Sequence, residues 1–117
     1  MRASLLLALA LTGTSHAASF NCHKASTWVE QTICANATLS KLDEALANNY
    51  QMMRDSDIGD GARQYLRETQ RNWLKERNRC TTPYCIKAMY YERVDAVCAL
   101  PVITGVHPLC VEAADIE

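Results

Sequence analysis

TLSKLDEALANNYQMM, residues 38–53, decides the architecture, because Leu39, Leu42, Leu46, Tyr50 and Met53 recur at intervals of three and four. That spacing places the apolar side chains on one stripe of an α-helix. The helix is predicted to start near Thr38 or Ser40. After it, Asp55-Ser56-Asp57 and Gly59-Asp60-Gly61 supply turn chemistry, so the chain reverses there.

Working outward, Ala62, Leu66, Thr69, Trp73 and Cys80 fall on one side of a second long helix, from Ala62 to about Arg79. The short connection makes it antiparallel to the first. Thr82 caps a third helix with Pro83 in its first turn, and Ile86, Met89, Tyr90, Val94 and Val97 form its buried face. Upstream, Val29 and Ile33 behind possible caps at Ser26 and Thr27 predict a short helix near Thr27 to Cys34. Pro101, Gly105 and Pro108 interrupt the chain beyond Leu100. The expected fold is all-α: a small disulfide-stapled bundle of three main helices plus a short N-terminal one.

Residues 1–17 read as an export leader, with Arg2 as its positive end, an apolar run from Ala3 to Leu11, and Ser15-His16-Ala17 as the cleavage site. The apolar run is too short to span a bilayer, which takes about 20 residues. No acylation box precedes Cys22, so no membrane anchor is expected. Cleavage before Ala18 leaves 117 − 17 = 100 residues with a formal charge of 11 − 13 = −2, which favours no particular partner. The mature chain divides into a helical domain at 18–98 and an irregular tail at 99–117.

Export places the six cysteines where oxidation persists, and an even count in so short a chain reads as a disulfide framework. Nearest neighbours are the expected pairs, Cys22 with Cys34, Cys80 with Cys85 and Cys98 with Cys110, since each pair brackets a local turn. Zinc is the rival for Cys80 and Cys85, but His23 and His107 lie at no finger spacing. Neither a metal nor a cofactor is expected.

No catalytic constellation emerges. Nothing pairs His23 or His107 with a nucleophile, the spacings of Glu68 and Glu76 or Asp43 and Glu44 are ordinary for a helix surface, and Gly59-x-Gly61 lacks the strand and third glycine of a phosphate loop. The chain is therefore read as a non-enzyme. One charge feature stands out: Arg63, Arg67, Arg71 and Lys75 repeat every four residues, away from the apolar face of their helix. A solvated face is the ordinary meaning of such a row, and contact with an acidic protein partner is the functional one. Nucleic acid is disfavoured by the net acidic, exported character of the domain.

Cys22-x-x-Ala25-x4-Glu30-x-x-Ile33-Cys34, followed by Leu39-x-x-Leu42-Asp43-x-x-Leu46-x3-Tyr50, resembles the opening of the LprI-type lysozyme inhibitor domain. Arg67-x-x-Gln70-Arg71-x-Trp73-Leu74-x-x-Arg77-x-x-Cys80, then Cys85-Ile86 and Arg93, resembles its second half. The resemblance runs from Phe20 to Val97. It implies a small, secreted, disulfide-bonded helical domain of the bacterial envelope, periplasmic or released, that binds and inhibits lysozyme. The motif residues Glu30, Asp43, Trp73, Arg77 and Arg93 are read as structural, the charged ones as ion pairs that fix helix packing. The basic row would then meet acidic cleft residues of the target, with Glu112, Asp115 and Glu117 available for a basic outer surface. Two readings compete: an envelope adaptor that inhibits nothing, and a small hydrolase, which requires a deep polar pocket with convergent titratable groups.

Overall fold

The computed structural model describes residues 18–117; the leader expected at 1–17 lies outside the described residues. The described chain is all-α, with helices α1 (Trp28–Ala35), α2 (Ala37–Asp55), α3 (Asp60–Arg77) and α4 (Pro83–Ala96). Short 3-10 turns occupy Cys22–Lys24, Val97–Ala99 and Ala113–Asp115, and no strand occurs among the described residues. Three long helices and one short one match the expected architecture.

Each start has a local cause. Thr27 and Glu30 form a capping box, the Thr27 hydroxyl accepting from the Glu30 N–H at 3.1 Å and the Glu30 carboxylate from the Thr27 N–H at 3.3 Å. Asn36 ends α1 and opens α2, its side-chain oxygen accepting from the Leu39 N–H at 3.0 Å. That cap explains why α2 begins ahead of the expected Thr38. Thr82 accepts from the Cys85 N–H at 3.1 Å, with Pro83 as the first residue of α4.

α2 is the central element, packed most extensively against α4 and then against α1. Side-chain bonds fix the directions of the long helices. Arg63 near the start of α3 reaches the end of α2 at Arg54, while Arg77 at the end of α3 faces Asp43 near the start of α2. α3 therefore runs back along α2. Asp43 meets Tyr90 and Asn49 meets Val94, so α4 runs in the same sense as α2. Leu39, Leu42, Leu46 and Met53 of α2 are buried with Val29, Ile33, Leu66, Ile86, Tyr90, Val94 and Val97. Tyr50 and Trp73 are half-buried against this core.

All six cysteines are joined as consecutive pairs, Cys22–Cys34, Cys80–Cys85 and Cys98–Cys110, with Cα separations of 5.8, 5.6 and 6.4 Å. No cysteine remains as a free thiol. The first bridge holds the N-terminal segment to α1, the second closes the α3–α4 corner, and the third closes a loop behind α4.

Gly59 enters α3 with φ +84° and ψ 157°, a region essentially reserved for glycine. A Cβ there would also stand 3.0 Å from Ile103 Cδ1. Gly59→Ala is expected to destabilise the fold by about 1–3 kcal/mol, read as a lower urea midpoint with an unchanged slope.

Candidate interaction surface

The motif residues converge in the interior. Tyr90 donates its hydroxyl proton to Asp43 Oδ1 at 2.7 Å and accepts from Arg77 at 2.9 Å, while Arg77 and Asp43 stand 4.0 Å apart. The second Asp43 oxygen accepts from the Ser19 N–H at 2.6 Å. Burial, followed by the Asp43 carboxylate, pushes the Tyr90 phenol far above its ordinary range, so it remains a neutral relay between the two charges. Trp73 stacks edge-on against Tyr90 at 4.9 Å, donates its indole N–H to the Met89 carbonyl at 3.3 Å and lies under the Arg77 guanidinium. One cluster thus ties α2, α3 and α4 together.

Two motif residues do other work than ion pairing. Glu30 spends its carboxylate on the Thr27 cap. Arg93 reaches neutral partners, Gln70 at 2.9 Å and Thr69 at 3.1 Å, and burial lowers its guanidinium pKa. Both side chains are engaged within the chain through hydrogen bonds.

The basic row divides along α3. Arg63 is built into the α2–α3 turn, donating to the Arg54 carbonyl at 2.9 Å, the Ser56 carbonyl at 3.0 Å and Asp60 at 3.0 Å. Arg67, Arg71 and Lys75 are exposed. At 1.5 Å per residue they lie about 6 Å apart along the axis, a regular positive strip on a rigid helix.

The C-terminal segment is fastened to the bundle by residues that periodicity could not single out. Buried Asn49 donates to the Val94 carbonyl at 3.2 Å and the Val111 carbonyl at 2.9 Å, and accepts from the Val111 N–H at 3.0 Å. Asp95 accepts from the Ala113 N–H at 2.9 Å, and Ala113 is buried. Asn49→Ala strands these backbone groups, at about 1–3 kcal/mol for a buried unsatisfied polar group. It is expected to make the chain beyond Cys110 susceptible to limited proteolysis while the helical circular dichroism is retained.

Between the bridge cysteines, Ile103, Val106 and Leu109 are 69%, 91% and 93% exposed. Sequence reading missed this feature. Its signal was present: from Ala96 to Val111 the chain has no Asp, Glu, Lys or Arg, yet its apolar residues keep no helical period. Tyr84 on α4 is likewise exposed, beside Lys87 and near a half-buried Tyr91.

The surface depressions are open. One of about 530 Å³ behind α4 is bordered by Asp95, His107 and Glu112. Asp95 is committed to the Ala113 N–H, and both His107 ring nitrogens face backbone carbonyls, those of Pro108 and Leu100. No nucleophile and base meet there. No group of three or more potential metal ligands occurs among the described residues, nor is any of their helices long and apolar enough to cross a membrane.

A family model described as lysozyme inhibitor LprI matches residues 21–99. No curated protein and no solved structure matches the chain. The family match spans the helical bundle and its first two disulfides, and stops at the disulfide-closed loop. With the four helices, the first two disulfides and the Asp43–Tyr90–Arg77 cluster all inside the matched residues, the chain belongs to the LprI lysozyme inhibitor family.

Proposed function

We propose that this protein is an exported inhibitor of lysozyme or a related peptidoglycan hydrolase, acting by protein–protein contact in the periplasm or outside the cell. The observation that carries the reading is the LprI match over residues 21–99. The bundle suits the role, because the Cys80–Cys85 disulfide and the buried polar cluster hold α3 against its neighbours before any partner arrives.

Lysozyme cleaves its glycan through a pair of carboxylates that flank the scissile bond in a cleft. The strip of Arg67, Arg71 and Lys75 complements such a cleft and steers approach to it. Arg63 contributes by fixing the turn that starts α3.

Lysis of cell walls by lysozyme, monitored by turbidity, is expected to slow in the presence of micromolar pure protein. Reversing the strip with Arg67→Glu and Lys75→Glu is expected to slow association about tenfold at low salt and to flatten its salt dependence. Unchanged lysis at excess protein overturns the inhibitor reading, and a stable envelope partner captured alongside unchanged lysis would replace it with an adaptor.

A further inference from the structure

We infer that the disulfide-closed loop between Cys98 and Cys110 is the wedge that enters the glycan-binding cleft of the lysozyme, with the α3 strip as its flank. This rests on the inhibitor reading and assigns the contact within it.

The loop is held in shape from several directions. Its ends are joined at a Cα separation of 6.4 Å. Across its middle, the His107 ring places one nitrogen 3.1 Å from the Leu100 carbonyl and the other 2.8 Å from the Pro108 carbonyl. On one side the Ile103 N–H donates to the Asp57 carbonyl at 2.7 Å, and the Thr104 hydroxyl donates to the Asp57 carboxylate. On the other, Asn49 holds Val111. Gly105, at φ +88°, provides the turn at the tip. Pro101 and Pro108 restrict the backbone further.

The side chains that this frame presents are apolar and in water. Val106 and Leu109 are 91% and 93% exposed, so neither contributes appreciably to the core. Scattered exposed apolar residues need no explanation, but these share one braced loop with Ile103. Rigid apolar contacts of this kind lose little conformational entropy on docking.

Shape and charge select the occupant. A closed loop with exposed apolar side chains fits a concave surface. The absence of Asp, Glu, Lys and Arg from Ala96 to Val111 suits a floor shaped for sugar rings, since ligand clefts are lined mostly by apolar and aromatic side chains. The catalytic carboxylates of such a cleft require positive charge at the edge. The α3 strip supplies it from further along, because the loop is tied to Asp57 at the turn where Arg63 binds Ser56, and Arg67 follows about two helical turns after α3 leaves that turn. A membrane surface is a poorer match, as it calls for basic residues interleaved with the apolar ones, and the stretch from Ala96 to Val111 has none. Residues 100–110 of the loop lie beyond the residues that match the family.

The test compares the full protein with V106D/L109D, measuring affinity for purified lysozyme by calorimetry, inhibition of wall lysis, and competition by the trisaccharide of N-acetylglucosamine. The wild type is expected to bind in competition with the trisaccharide. The double variant is expected to keep its helical circular dichroism and melting temperature while losing at least tenfold in affinity. Wild-type inhibition with the same affinity in V106D/L109D overturns the wedge and leaves the inhibitor reading standing, as does simultaneous binding of trisaccharide and protein to one lysozyme. Absence of any binding by the wild type removes both. If the substitutions only dissociate a dimer, or only abolish binding to anionic phospholipid vesicles, the loop serves a second copy or a membrane and the wedge is again overturned.

Discussion

Reducing all three disulfides is expected to unfold the protein at room temperature without denaturant. The bridges close loops of sequence separation 12, 5 and 12, and in the chain-entropy model they together restrict the unfolded chain by about 8 kcal/mol. Small domains have about 5–15 kcal/mol in total, so the loss takes most or all of the margin. Helices of 8 to 19 residues such as these do not persist well alone in water. The measurement is circular dichroism and thermal melting with a phosphine reductant. A cooperative melt at the original temperature in the reduced protein would show that the bundle stands on its packing.

The second large effect is expected from Asp43→Ala. Arg77 would lose the carboxylate that faces its charge, and its side chain is only 7% exposed. Ser19 would lose its acceptor and Tyr90 its proton acceptor at the same time. Removing one partner of a buried pair costs about 3–5 kcal/mol, because the other charge remains uncompensated. The double change Asp43→Leu with Arg77→Met is expected to recover the part of that loss due to the stranded charge, while the Tyr90 hydroxyl and the Ser19 N–H stay without an acceptor. Urea unfolding of the wild type, Asp43→Leu, Arg77→Met and the double variant gives the coupling directly. Independent, additive losses would mean that the two side chains act separately.

Most of the bundle was legible in the sequence because its signals are local. The stripe from Leu39 to Met53, the Thr82-Pro83 start of α4 and the spacing of consecutive cysteines each depend on neighbouring residues, and each has its expected counterpart in the fold. Asn49 illustrates the opposite case. It lies in the same helix as the stripe, but its value comes from Val94 and Val111, far along the chain. Periodicity has no access to such a pairing.

Charge was read less completely than hydrophobicity. Four cations at regular spacing look equivalent in the sequence, yet Arg63 is used by backbone carbonyls that only the turn brings within reach. Similarly, Glu30 and Arg93 resemble members of ion pairs until the cap and the neutral partners on α3 are seen. The segment 99–117 was read as an irregular tail because prolines and a glycine interrupt it. That description omits the anchoring at Asp57 and Asn49, which gives an irregular backbone one fixed shape.

Because every bridge links cysteines that are consecutive along the chain, an oxidant that joins thiols in order of their emergence from a translocation pore makes the native set at the first attempt. Maturation in an oxidising compartment then requires a thiol oxidase but no isomerase to reshuffle wrong pairs. Yield should accordingly survive the loss of isomerase activity in a producing cell.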